Sequence, residues 1–327
     1  MKWGIERSSI VTQMAHIPRC GPFVDRQYDR YLRLKFRTNW RLLRNPASHR
    51  DFSRSDHPLN AKQQQILTEL NENGVATCHI DELFATSGPW SRLSEQLRAF
   101  CESDDTRSKL QQQLTAFESA KDPNAVAHYI LTYYPQEQKP LIQARSPLFD
   151  LAISSEVLDV VDSYLGMWSR LIYFDMWHTV PLKTDTRILS QRWHRDPEDR
   201  KKIRIFLYYN EVDEDAGPME YFAGSQLGGP YQDLYPWQDP LQTPYPPEGA
   251  IDQVISPARH IMLKGKPGTL IFCDTAGLHR GGVAKTKPRI IATAAYVTPA
   301  SLHGRRYRIT DELRASLNTR QARFAVA

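Results

Sequence analysis

Two stretches of the chain carry side chains able to share one metal ion. The first is His194-Arg195-Asp196; the second centres on His279, with Arg289 ten residues beyond it. On an extended strand, residues two apart project to the same face, so His194 and Asp196 present an imidazole and a carboxylate side by side. A second histidine from a distant segment completes a facial set of three ligands and leaves three octahedral positions open for small molecules. Arg289 adds a planar fork that matches a carboxylate. That is the ligand logic of a non-haem Fe(II) oxygenase fed by a 2-oxo acid.

No one of these features is specific alone. His-x-Asp triplets arise by chance and are more often surface ion pairs, and a lone histidine in a turn is more often structural. Context adds weight. Trp193 and Pro197 flank the triplet as at a strand end on a rim, where site residues commonly sit. His279 follows the apolar run 270–273 in a turn with Gly277, Gly281 and Gly282, where missing Cβ atoms let the backbone pass close to a ligand. Arg289 heads the apolar run 289–297, and a buried guanidinium needs a partner: a dicarboxylate ligand or a neighbouring Asp or Glu. His178 faces the same pocket if its strand runs beside His194 with even-numbered side chains inward, and would then touch the 2-oxo acid or the substrate. A register one residue different makes it a hydrogen-bonded core histidine.

The elements that must position these residues fall into two textures. From Asn60 to Gly166 the pattern is mainly helical. Asn60 and Gln63 form a capping-box pair, Ile66, Leu67 and Leu70 supply an apolar stripe, and Gly74 is a stop. Residues 75–80 read as a short strand. Trp90, Leu93, Leu97 and Phe100, then Leu110, Leu114 and Phe117, recur at helical spacing, and Ser146-Pro147 opens a stretch running with a break to Gly166. Beyond Gly166, strand-like runs at 171–180, 203–212, 218–222, 260–264, 269–273 and 289–297 follow one another with turns between them. Short strands without intervening helices favour an antiparallel sandwich or barrel. Residues 227–257 hold many Pro, Tyr, Gln and Asp and no clear period, which suits a lid carrying Tyr231, Tyr235, Trp237 and Tyr245. One last helix is expected from Thr310 towards Arg323.

At 327 residues the chain can bury a substantial core. No run approaches the roughly 18–20 apolar residues of a membrane span, and the first residues lack the apolar run of a secretory signal. The four cysteines are scattered, with no CxxC spacing, so no zinc knuckle or disulfide framework is indicated and a cytoplasmic setting fits. The net charge is +5, but residues 19–50 hold nine Lys or Arg against two Asp. The basic character therefore belongs to an N-terminal extension, taken as residues 1–58. Its charges alternate with Tyr28, Tyr31, Phe36 and Trp40, which favours packing over the domain; a clamp for nucleic acid or an acidic partner is the competing use.

The chain resembles the phytanoyl-CoA dioxygenase-like branch of Fe(II)/2-oxoglutarate oxygenases. The matching text is Trp193-His194-Arg195-Asp196, then residues 210–212 with Gly217-Pro218 and Ala223-Gly224-Ser225-Gln226, then Phe272-Cys273-Asp274 with His279-Arg280-Gly281-Gly282, and Arg289. It spans roughly residues 60–299. The resemblance implies an α+β fold, a double-stranded β-helix (jelly-roll, cupin-like) core flanked by helices mainly from the N-terminal half. Residues 59–327 would then be one oxygenase domain: helix-rich 59–166, jelly-roll 167–299 and C-terminal helix 310–323. It also implies Fe(II) on His194, Asp196 and His279, with Arg289 gripping the distal carboxylate of 2-oxoglutarate and O2 as the oxidant. Two departures stand out: Ala223-Gly224-Ser225-Gln226 replaces a frequent Pro-Gly-Ser-His, and Gly281 replaces a serine that helps many members hold the co-substrate.

The expected activity is hydroxylation of a small-molecule metabolite, with 2-oxoglutarate decarboxylated to succinate; desaturation or ring closure are open to the same iron. Asp196 argues against halogenation, since related halogenases lack that carboxylate. The competing readings are a protein or nucleic-acid hydroxylase using the basic arm, a jelly-roll metalloenzyme that does not use 2-oxoglutarate, and a non-catalytic binding protein with a vestigial site. Nothing in the chain marks a CoA site, and such folds host many substrates.

Overall fold

Gly166 is where the architecture changes, as the texture of the sequence predicts. The structure, a computed structural model, describes residues 45–120, 129–134, 139–181, 186–235 and 245–327, with Phe23, Arg26, Gln27 and Arg30 before them. Most of the basic segment 19–50, and Trp237 of the 227–257 stretch, lie outside the described residues.

The helices come first. They are α1 (Pro46–Ser53), α2 (Ala61–Asn73), α3 (Ile80–Phe84), α4 (Gly88–Glu102), α5 (Asp104–Ser119), α6 (Pro147–Ile153) and α7 (Ser155–Leu165). The capping box of α2 is complete: Asn60 Oδ1 accepts from Gln63 N, and Gln63 Oε1 accepts from Asn60 N, both at 2.9 Å. Gly74 ends α2 at φ 81°, a left-handed conformation glycine adopts without Cβ cost. The break in the 146–166 stretch falls at Ser154, whose extended backbone ends α6 while its side chain caps α7. The last helix is two short ones, α8 (Asp311–Ala315) and α9 (Arg320–Ala325), because Thr310 and Thr319 each cap a separate start. Helix α1 docks on the corner after α7: Ser48 Oγ donates to Trp168 O at 2.9 Å, and Trp168 Nε1 donates to Asp51 Oδ2 at 2.7 Å.

The strands are β1 (Val75–His79), β2 (Ile130–Thr132), β3 (Leu141–Ile142), β4 (Arg170–Thr179), β5 (Ile203–Tyr208), β6 (Met219–Phe222), β7 (His260–Leu263), β8 (Thr269–Cys273), β9 (His279–Arg280), β10 (Ile290–Val297) and β11 (Arg308–Ile309). Six make an antiparallel sheet in the order β1-β8-β5-β10-β4-β2, three make a second in the order β7-β6-β9, and β11 pairs with β3. The fold is thus mixed helix and antiparallel sheet.

Alternation along the strands gives the large sheet two destinations. Ala76, Phe272, Ile205, Ala294 and Phe174 align across it and join a core with Leu70, Leu97, Leu148 and Val161 of the helices. The intervening residues, including Val75, Cys273, Phe206, Tyr208 and Ile291, pack instead with Met219, Tyr221 and Leu263 of the three-stranded sheet. One face is sealed by helices, and the other, under the small sheet, is where the site lies.

Candidate metal centre

The ligand residues are joined through backbone before their side chains meet. His194 and His279 form an isolated antiparallel bridge: His194 N donates to His279 O at 2.9 Å, and His279 N to His194 O at 3.0 Å. Asp196 N donates to Thr275 O at 2.8 Å, and His279 pairs across β9 and β6 with Tyr221. Residues eighty-five positions apart are thereby held in register. His194 sits in a single bridge and not on a long strand, yet the two-residue spacing still puts Asp196 on its side.

The three side chains converge. Their donor atoms all lie within 4.8 Å of one another, and all three residues are buried. His194 Nε2 is 3.6 Å from Asp196 Oδ1, His279 Nε2 is 3.8 Å from Asp196 Oδ2, and the two imidazole centroids are 4.2 Å apart. Each ring is oriented by a carbonyl: His194 Nδ1 donates to Arg192 O at 2.8 Å and His279 Nδ1 to Gly277 O at 3.0 Å. A carbonyl only accepts, so the Nδ1 atoms carry the protons and both Nε2 lone pairs face the cluster. Burial lowers both histidines from their ordinary value, and for His279 burial and the neighbouring His194 bring it to about 3. Burial opposes the Asp196 charge, but Arg204 and Lys202 outweigh it and hold the carboxyl well below the usual range. Two neutral imidazoles and one ionised carboxylate suit Fe(II).

Sequence reasoning missed the charges behind Asp196. Arg204 Nη2 lies 3.0 Å from Asp196 Oδ2 and 3.4 Å from Glu198 Oε1, while the fully buried Lys202 reaches Glu198 Oε2 at 2.5 Å and Asp196 Oδ2 at 3.4 Å. The signal was there: Lys202 and Arg204 share parity with Phe206 and Tyr208 on a strand whose alternate face is apolar.

A cavity of about 100 Å³ is bounded by the triad, Arg204, Phe206, Tyr208, Trp177, Met219, Ile291, Tyr129, Ser190, Gly281 and Arg289. Arg289 is buried and donates through Nη1 to Gly217 O. Among the described residues no carboxylate pairs with it, so of the two partners its position called for, the neighbouring acid is absent. His178 does not line this cavity. On β4 it is Trp177 that does, because Trp177 pairs with Ile291 and His178 with Ile290 on the other face of the sheet. The parity is the reverse of the one that would turn His178 inward. A larger cavity of about 520 Å³, among Phe84, Arg92, Arg145 and Glu156, lies in the helical layer and contains none of the triad.

The glycines of the His279 turn serve different ends. A Cβ on Gly277 would overlap the Tyr221 hydroxyl, and one on Gly282 would overlap the Pro218 carbonyl. These two answer to close packing and not to a ligand; Gly281 alone lines the cavity. Arg195, between the ligands in sequence, is also structural. It donates to Ser225 O (2.6 Å), Ala276 O (2.8 Å), Leu234 O (2.8 Å) and Tyr235 O (3.1 Å), tying residues 225–235 to the metal segment. Tyr245 approaches the centre, its ring 5.7 Å from that of His194.

Neither a protein-family model nor a curated protein matches the chain. Solved structures do. The epimerase SnoN, solved with Fe3+, alpha ketoglutarate and nogalamycin RO, is 13% identical, with 73% of this chain and 84% of that one covered and a TM-score of 0.50. EctD from S. alaskensis, solved with 2-oxoglutarate and 5-hydroxyectoine, is 17% identical over 84% of this chain and 89% of its own, with a TM-score of 0.46. At these identities, what the chain shares with SnoN is its fold.

Proposed function

We propose that the protein is an Fe(II)/2-oxoglutarate-dependent dioxygenase that hydroxylates a small-molecule metabolite, built on a double-stranded β-helix and related to the phytanoyl-CoA dioxygenase-like branch. The observation that carries this reading is Arg289, a buried cation without an acid partner among the described residues, in the same small cavity as a His-Asp-His cluster. A dicarboxylic 2-oxo acid has the two ends such a cavity needs, one for the metal and one for the guanidinium. SnoN, which shares the fold, was solved with Fe3+ and alpha ketoglutarate, in agreement with the reading.

His194, Asp196 and His279 would hold the metal, which when bound supplies O2 activation coupled to decarboxylation of the 2-oxo acid. The chain's own contribution is orientation and dryness. The Arg192 and Gly277 carbonyls keep both imidazoles in the ligating tautomer. Arg289 anchors the far carboxylate, while Trp177, Phe206, Met219 and Ile291 exclude water from the space between. The small cavity volume and the approach of Tyr245 to His194 support a metabolite-sized substrate.

Anaerobic titration with Fe(II) and then 2-oxoglutarate tests the proposal, through the weak visible charge-transfer absorption of the chelate. Wild type should develop the band, and Arg289→Ala should need at least about a hundredfold more 2-oxoglutarate, since a charged hydrogen-bonded pair is lost. Iron binding with no band in either protein would favour a metalloenzyme that does not use 2-oxoglutarate.

A further inference from the structure

Most arginines around the metal segments have their charge answered. Arg187 and Arg280 pair with Glu220 at 2.8 and 2.7 Å, Arg204 pairs with Asp196 at 3.0 Å, and Arg195 donates to the carbonyls of Ser225 and Ala276. Arg289 has its role in the reading above. Arg192 differs from all of these. Among the described residues no carboxylate pairs with it, and its guanidinium lies over the Tyr245 ring, Cζ 5.1 Å from the centroid.

Backbone hydrogen bonds fix where Arg192 stands. Arg192 N donates to Leu189 O at 3.0 Å, and Arg192 O accepts from His194 Nδ1 at 2.8 Å. Tyr245 reports the direction of the side chain, because the ring that carries the guanidinium is itself 5.7 Å from the His194 ring. The guanidinium is therefore no farther from His194 than those two distances laid end to end. After burial, the groups that act most on the Tyr245 hydroxyl are Tyr129, Asp196 and Arg192. Tyr129 and Asp196 both line the metal cavity, so the phenol leans towards it.

Formal charges favour an anion at this edge. Lys202 and Arg204 offset Asp196 and Glu198, and a divalent ion and a doubly ionised 2-oxo acid offset each other. Arg289 and Arg192 then leave the loaded centre positive. Arg192 does not line the cavity that holds Arg289, so its charge is left for a second anion. It is also half-buried, and a guanidinium that has given up part of its water gains most from a charge-assisted fork.

We propose that Arg192 and Tyr245 form the subsite for an anionic group of the substrate, so that the enzyme acts on a small metabolite carrying a carboxylate or a phosphate. This rests on the oxygenase reading above and narrows it to a substrate class. The planar fork takes two oxygens of the anion, and the Tyr245 ring beneath it shields the pair from water. The carbon end of the same molecule is thereby held beside His194. A neutral molecule of the same shape has nothing to hold it there, which makes Arg192 a specificity-determining residue.

The test uses the full chain, anaerobic, with Fe(II) and saturating 2-oxoglutarate, as wild type, Arg192→Met, Arg192→Lys and Tyr245→Leu. The probes are butyrate, propyl phosphate and the neutral butyramide, read by the change in the charge-transfer band and by the rise in melting temperature. One of the two acids should bind wild type at least about tenfold more tightly than butyramide, and the tighter acid gives the class of anion. Arg192→Met should abolish that preference, and Tyr245→Leu should reduce it. Affinities for Fe(II) and 2-oxoglutarate, titrated beforehand, should match wild type in both Arg192 variants. Equal binding of acids and amide by wild type would overturn the assignment, as would a preference that survives in Arg192→Met. Weaker 2-oxoglutarate binding in Arg192→Met would give Arg192 to the co-substrate and overturn it too. Wild type that binds Fe(II) but not 2-oxoglutarate removes the functional reading itself, a result obtained before any probe is added. Should Arg192→Met fail to fold, Arg192→Lys decides: a lower ratio of acid to amide binding supports the subsite, and an unchanged ratio overturns it.

Discussion

Asp196 is held by two cations before any metal is considered. Arg204 and Lys202 approach the same oxygen, and Glu198 balances them, so four charges share a buried space. Burial alone would push the Glu198 carboxyl up, but Lys202 and Arg204 bring it to about 2 despite the adjacent Asp196. Removing one partner from such a group leaves an uncompensated buried charge. Arg204→Met should therefore destabilise the metal-free protein by about 3–5 kcal/mol in urea unfolding, with Arg204→Lys losing much less. A loss within experimental error for Arg204→Met would mean that water reaches these groups. The same scale explains why His178 was ambiguous in the sequence. Residue type cannot say which face of β4 meets the metal, and the pairing of β4 with β10 gives that face to Trp177.

Helices were legible where capping residues and apolar spacing agree, as in α2 with Asn60, Gln63 and Gly74. They were less so where a serine interrupts a continuous apolar pattern. Ser154 lies between two stretches that both bury leucine and other apolar side chains, and only its extended backbone, φ −63° and ψ 145°, separates α6 from α7. Its hydroxyl oxygen accepts from Val157 N, so Ser154→Ala should cost about 1 kcal/mol, measurable by thermal or denaturant unfolding. No change would place the break in packing and not in the cap. The C-terminal pair α8 and α9 makes the same point, since two threonines three residues ahead of an apolar position each start a helix. Most expected strand runs lie within a residue of their observed bounds, because β-branched and aromatic alternation is local. The run 203–212, however, ends at Tyr208, and the short β2, β3, β9 and β11 were not expected. Nor was the bridge between His194 and His279, because it joins segments with no local signature of each other.

At the scale of the molecule, the large sheet separates a helical core from the metal cavity, and ionisable groups are buried on both sides. Asp162, near the end of α7, accepts from Ser169 N at 2.8 Å and is raised by burial to about 8. Its folded value lies above the unfolded one of about 4, so the folded state keeps a proton that the unfolded state releases. That contribution is complete below the unfolded value and is lost as pH rises towards 8. Asp162→Asn keeps an acceptor for Ser169 and cannot ionise. Its stability relative to wild type should climb between pH 5 and pH 8, by at least about 1 kcal/mol. A difference that stays flat across that range would show that Asp162 is ionised in the fold throughout.

The sequence by itself determined the donor types, their order and the likeness they suggest, because a two-residue spacing, a glycine-rich turn and a charged strand head are local facts. It also determined where helix yields to strand. Tertiary structure decided which charges stand behind Asp196, which side of β4 faces inward, and that Arg289 lacks an acid partner among the described residues. It alone brought Tyr129 and Ser190, sixty-one residues apart, to one hydrogen bond beside Arg289. The physical reason is that strand pairing and burial are set by segments distant in the chain. Periodicity tells a residue that it has an inner and an outer face; only the neighbour across the sheet tells it which is which.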